Sequence, residues 1–168
     1  MKCTLRKWKL SDAEDLSHVL SNKKILNNLR AKIPYPYTVK HAKDFIVETL
    51  NADADNVISF AIVYDGTVVG CISAYRGQGV YSKSAELGYY VAEEHWNKGI
   101  ATTAIKKMCS YIFENTDIIR IYACVYSNNA ASCRALEKAE LEFEGLLRKY
   151  ELRLGKPRDV KLYATVKK

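Results

Sequence analysis

A chain of 168 residues, 48% hydrophobic and 27% charged, is long enough to bury a core and has the composition of a globular domain rather than a disordered or fibrous one. No stretch reaches the ~18 apolar residues of a membrane-spanning helix, and the start, MKCTLRKWKLSD, lacks the apolar run of a signal peptide, so a cytoplasmic protein with no membrane attachment is expected. The net charge is +7, and residues 145–168 hold eight basic and two acidic side chains, a patch that attracts polyanions or simply forms a solvated strand face.

CTLRKW alternates and predicts a strand. Ser11, with Glu14 three residues on, predicts a capping box opening a short helix to about Ser21. IPYPYT (33–38) is a Pro-punctuated turn, and Thr38 caps a second helix with Val39, Ala42, Phe45, Ile46 and Leu50 at helical spacing. NVISFAIVYDGTVVGCISAY reads as a hairpin turning at Asp65-Gly66, and SAELGYYVAEE as a further strand. Ile100, Ala101, Ala104, Ile105, Met108, Cys109 and Ile112 form one apolar stripe of a third helix, with Lys106, Lys107 and Ser110 facing away. IIRIYACVY is an apolar strand, NNAASCRALEKAE a short helix, and 141–166 two strands split near Gly155-Lys156-Pro157. The order β-α-α-β-β-β-α-β-α-β-β, a meander with one βαβ crossover, predicts a single α+β domain over 1–168.

Five cysteines, Cys3, Cys71, Cys109, Cys124 and Cys133, are scattered with no CxxC pair, which reads as free thiols rather than a zinc ribbon or disulfide framework. His18, His41 and His95 show neither metal-ligand spacing nor a nucleophile-base arrangement, so no metal is expected.

The most informative stretch is EEHWNKGIATTAIKKM (93–108), where a helix opens through Lys98-Gly99 with no Ser, Thr or Asp directly ahead of it. The first four amides of such a helix are unpaired and carry the positive end of its dipole, so Lys98 and Gly99 mark either an anion site or an ordinary turn. Neither GxxxxGK[ST] nor GxGxxG is present, which removes the main support for a nucleoside triphosphatase or a dinucleotide dehydrogenase.

AELGYYVAEEHWNKGIATTAIKKM resembles the acetyl-CoA-binding segment of the GNAT superfamily of N-acetyltransferases, in its RimJ/RimL-like branch. IPYPYT, the Asp-Gly hairpin, NNAASCRALEKAE and GKPRDVKLYA fall in the order that this branch shows. The resemblance implies the GNAT fold, a central mixed, mostly antiparallel sheet of about seven strands flanked by about four helices. It implies acetyl-CoA as cofactor and a primary amine, on a protein N-terminus or a small molecule, as acceptor. Homodimers are common among similar proteins.

The superfamily's loop [Q/R]-x-x-G-x-[G/A] maps onto residues 96–101: Gly99 and Ala101 match, whereas Trp96 stands in the Gln/Arg place. The resemblance then implies that the amides of Asn97, Lys98, Gly99, Ile100, Ala101 and Thr102 hold the diphosphate, and that backbone groups of Tyr90, Val91 and Ala92 pair with the pantetheine arm. Glu86, on an otherwise apolar strand, reads as a general base or as an ion-paired edge carboxylate. Asn129 and Ser132 read as a helix cap. The resemblance gives Asn129 a hydrogen bond to the pantetheine and Ser132 the role of acid to the leaving thiolate, because Leu136 occupies the place of the tyrosine many relatives use. Glu140-Leu141 also replaces the usual Gly-Phe. Tyr35, Tyr37, Tyr81 and Tyr150 are candidates to line the acceptor side. Two alternatives remain: a CoA-binding sensor without catalysis, and a ribosome- or nucleic-acid-binding module built on the basic C-terminal region, for which no recognition motif is present.

Overall fold

Asp65 and Gly66 adopt φ of 49° and 87°, the left-handed pair that a two-residue hairpin of matching twist requires. They join β2 (Val57–Tyr64) to β3 (Thr67–Arg76) in a computed structural model that describes residues 2–30 and 32–168. β1 (Cys3–Arg6) lies antiparallel on β2, and β4 (Ser84–Val91) antiparallel on β3. β5 (Arg120–Tyr126) runs parallel to β4, and β7 (Lys156–Val166) and β6 (Glu142–Arg153) complete seven strands in the order β1-β2-β3-β4-β5-β7-β6. The mixed, mostly antiparallel sheet is the α+β architecture expected.

Helices cover both faces. α1 (Ala13–Leu20) and α3 (Val39–Asn51) bury Leu16, Leu20 and Ile46 against Ala61, Val63, Val68 and Cys71, together with Ile25 and Leu26 of the short α2 (Lys23–Asn28). α4 (Ile100–Asn115) and α5 (Ala130–Lys138) pack Ile105, Met108, Ile112 and Leu136 on the opposite face, against Ile72, Leu87 and Ile121. Each fully buried Ile or Leu contributes on the order of 1.5–3 kcal/mol. Thr38 caps α3 as predicted, its hydroxyl accepting from the His41 amide at 3.2 Å.

The N-terminal helix departs from its prediction. Ser11 is not the cap: residues Leu10–Asp12 form a 3-10 turn, and α1 starts at Ala13. Asp12, 5% exposed, organises the turn instead, accepting the Lys9 amide at 2.8 Å and a two-pronged pair of 2.8 Å bonds from the Arg6 guanidinium on β1. A bidentate charged pair outweighs a single hydroxyl cap. α2 escaped the reading because six residues are too few to display a period; Asn22 caps it, accepting from the Lys24 amide at 2.9 Å.

Burial pushes the Asp12 carboxyl up, but the Arg6 hydrogen bonds and the Lys9 amide outweigh burial, and the net shift is downward. A carboxyl depressed in the folded state adds stability above its unfolded pKa, near ~3.9, and loses it as pH falls through the folded value. Asp12→Ala is therefore expected to lower unfolding stability by about 1–3 kcal/mol near neutral pH. The gap between variant and wild type in urea midpoints should close towards pH 2.

The basic C-terminal segment is the β6–β7 hairpin. Part of its charge is used within the chain: Arg153 donates to the Leu26 carbonyl at 2.8 Å and Lys167 to the Phe113 carbonyl at 2.6 Å.

Candidate active site

β4 and β5 pair only from Ser84–Glu86 to Arg120–Tyr122, after which β5 follows β7 and the two parallel strands part. Leu87–Val91 and Ala123–Tyr126 thus border an opening at the carboxyl ends of parallel strands, and the helices following both strands begin there. Openings of this kind are where mixed sheets bind ligands.

On one side of the opening the chain enters α4 through two left-handed residues, Asn97 at φ 61° and Gly99 at φ 74°. Such a turn gathers successive N–H groups into an anion-binding hollow. Gly99 is the N-cap and no side chain caps it; a Cβ there would meet nothing within 4 Å, so the space above the helix end is open. The first turn closes with Thr103 N–H to Gly99 O at 3.0 Å, leaving the amides of Ile100, Ala101 and Thr102 as the unpaired donors of the helix end. Lys98 adds a full charge, its ammonium 3.5 Å from His95 Nδ1. A diphosphate fits this hollow: a helix dipole, uncapped amides, a lysine and room.

Trp96, the departure from the superfamily loop, has a local reason. Its indole Nε1 donates to the Val91 carbonyl at 2.7 Å and ties the loop to the end of β4. This bond also shows which β4 groups face the opening. Ala92 N–H donates to Val69 O at 2.7 Å, so Val91 and Gly70 form a non-hydrogen-bonded pair and the Tyr90 amide and carbonyl turn to Cys71. Of the three residues expected to pair with an extended arm, Tyr90 therefore turns its groups to β3, while Ala92 gives its amide to β3 and its carbonyl to the His95 amide at 2.9 Å. Only the Val91 amide is directed to the open side, alongside the backbone of Leu87 and Tyr89. A one-residue offset in register reverses which groups are available.

The side chains of β4 divide between the two faces. Glu86, Gly88 and Tyr90 lie on the α1–α3 face, whereas Leu87, Tyr89 and Val91 lie on the α4–α5 face. Gly88 is exposed and a Cβ there would meet nothing, so the strand is bare beside Glu86. Glu86 is not on an edge strand: β4 is central, and its carboxylate is ion-paired with Arg30, which also holds Glu151 of β6 and reaches the Cys124 carbonyl at 3.5 Å. Arg30 engages Oε1 of Glu86, and among the described residues Oε2 accepts no hydrogen bond. A carboxylate holds about four acceptor positions, so capacity for an amine or a water remains.

On the α4–α5 face, Asn129 caps α5, its Oδ1 accepting from the Ser132 amide at 3.2 Å. This leaves the Asn129 carboxamide N–H₂ as the donor for a ligand. The Ser132 hydroxyl stands 2.6 Å from the Tyr89 hydroxyl, a contact from β4 to α5. Leu136 is completely buried in the core and offers nothing to the opening.

Sequence reasoning missed Arg30, Glu151 and Tyr89. The first two carry no local signal, since the pairing spans 121 positions. Tyr89 was legible only as the alternate neighbour of Glu86 and Tyr90. Of the four tyrosines expected on the acceptor side, Tyr37 is buried in the core at 7% exposure, and Tyr81, 69% exposed, precedes the closed end of β4.

The family described as acetyltransferase (GNAT) domain matches residues 2–142. The chain is 30% identical to the uncharacterized N-acetyltransferase p20 of Bacillus licheniformis, over 99% of this chain and 94% of that protein. RimJ of Mycobacterium smegmatis, solved in complex with CoA-disulfide, superposes with a TM-score of 0.86 at 26% identity, covering 98% of this chain and 81% of that one. The microcin C7 self-immunity acetyltransferase MccE, solved with acetyl-CoA and AMP, shares the fold at a TM-score of 0.86 and 22% identity, covering 98% and 92%. With an uncapped glycine-opened helix beside two parted parallel strands, these likenesses establish that the chain belongs to the GNAT acetyltransferases, is an acyltransferase that uses acetyl-CoA, and stands with the RimJ/RimL-like branch.

Proposed function

We propose that the protein acetylates a primary amine, a protein N-terminal α-amine or that of a small molecule, by direct attack in a ternary complex at the β4–β5 opening. The observation that carries this reading is the placement of Glu86 on one face of the opening and Ser132 on the other. Such an arrangement removes a proton from an amine on one side and supplies one to a leaving group on the other.

When bound, acetyl-CoA supplies the acyl group as an activated thioester. The amides of residues 97–102 and Lys98 hold its diphosphate, the Asn129 carboxamide orients its amide arm, and the Val91 N–H is the donor available to polarise the acyl carbonyl. Glu86 takes the proton of the incoming amine, directly or through one water on its open oxygen. An α-amine titrates near ~8, so at neutral pH this proton is usually present and must go somewhere. Within the cluster itself Glu86 and Glu151 outnumber Arg30 by one negative charge, an immediate environment that suits an ammonium. Ser132 gives a hydrogen to the departing sulfur.

The test is thiol release from acetyl-CoA with a panel of amines: peptides beginning with Ala or Ser, polyamines and amino sugars. Turnover with at least one amine, with the acetylated product identified by mass, supports the reading. Tight acetyl-CoA binding with no turnover across the panel would sink it in favour of a CoA-binding sensor.

A further inference from the structure

The transfer reading leaves one polar side chain at the opening without a task. Tyr89 lies on the stretch of β4 that has parted from β5, and its phenol crosses to the first turn of α5. There it stands 2.6 Å from Ser132 Oγ and 3.2 Å from the Ser132 carbonyl.

A phenol has one hydrogen to give, and a serine hydroxyl has one hydrogen and two acceptor positions. Of the two hydroxyls the phenol is the more acidic and hence the better donor, and its shorter contact is to Oγ. With the phenol hydrogen on Oγ, the serine hydrogen is released from local partners; among the described residues Ser132 Oγ has no other. We infer that Tyr89 is a positioning residue, which donates to Ser132 Oγ and thereby aims the serine hydrogen into the opening, at the departing sulfur. This inference rests on the transfer reading above.

Burial pushes the Tyr89 phenol up to about 12, the Ser132 hydrogen bond opposing but not cancelling it, so the group keeps its proton at neutral pH. The phenol is therefore available at neutral pH as the donor to Ser132 Oγ. The transfer balances without it. As the N–C bond forms, the C–S bond breaks with its electron pair left on sulfur, and Ser132 gives its hydrogen to that sulfur. An ammonium loses two protons on becoming an amide: Glu86 takes the first before attack and the second as the N–C bond forms, passing each to water, and Ser132 is reprotonated from water, so one proton is released overall.

A purely structural tie between β4 and α5 would account for the same contact, and kinetics separates the two. Tyr89→Phe keeps the ring and its packing and removes only the hydroxyl. The expected result is a kcat ~10-fold lower, with KM and Kd for acetyl-CoA unchanged, because the lost interaction acts only as the sulfur departs. Ser132→Ala should lower kcat by ~100-fold, within the usual range for a proton donor. The double variant should be no slower than Ser132→Ala alone, since Tyr89 then has nothing to position. If Tyr89→Phe costs the same factor in the Ser132→Ala background, or raises KM while kcat holds, the inference is overturned and Tyr89 is only a tie. A wild type inactive with every amine overturns the transfer reading and this inference with it; an active wild type with an unaffected Tyr89→Phe overturns this inference alone.

Discussion

Gly99→Glu is expected to weaken acetyl-CoA binding at least ~100-fold, about 2.7 kcal/mol, in a calorimetric titration. Two effects act together. The new carboxylate sits at the positive end of α4, where it caps the amides that a diphosphate would otherwise take, and it repels the incoming anion. The backbone at φ 74° also strains any residue with a Cβ, at a cost of about 1–2 kcal/mol. Gly99→Ala isolates the second effect: its Cβ meets nothing within 4 Å, so Kd should rise only a few-fold. An acid at a helix start favours the helix, so the Gly99→Glu thermal midpoint should stay within a few degrees of Gly99→Ala. Equal binding by Gly99→Glu and wild type would remove the diphosphate from this loop.

Glu86→Gln is expected to lower kcat by ~10²-fold or more with acetyl-CoA Kd unchanged, because a carboxamide keeps the shape and the Arg30 contact but cannot take a proton. Arg30 complicates the result, since the same guanidinium holds Glu151. Neutralising either carboxylate weakens its anchorage. Glu151→Gln is the control: it disturbs Arg30 while leaving the β4 carboxylate in place. A loss confined to Glu86→Gln identifies the base, and a comparable loss in both variants identifies the ion-paired cluster as a scaffold. The residual Glu86→Gln rate should rise with pH through the acceptor's own titration, near ~8 for an α-amine, because only the amine that has already lost its proton can then react.

The elements most legible in the sequence are those whose signals are local. The Asp65-Gly66 turn, the Thr38 cap, the α4 stripe and the uncapped glycine entry need only a few consecutive residues, and each occurs where the pattern places it. Ser11 misled because a buried Asp12 next to it found a bidentate partner on β1, a competition that no four-residue window displays.

By itself the sequence determined the order of the strands and the longer helices, the α+β class, the family and the uncapped glycine entry to α4, because helix periods, turn residues and the amides of a helix end are properties of adjacent residues. Only the tertiary structure decided which β4 backbone groups face the opening, that Arg30 bridges Glu86 and Glu151 from three separate parts of the chain, and that Tyr89 reaches Ser132. Those facts depend on strand register and on contacts between residues tens of positions apart. A one-residue offset in pairing reverses them all, while the local pattern of the strand stays the same.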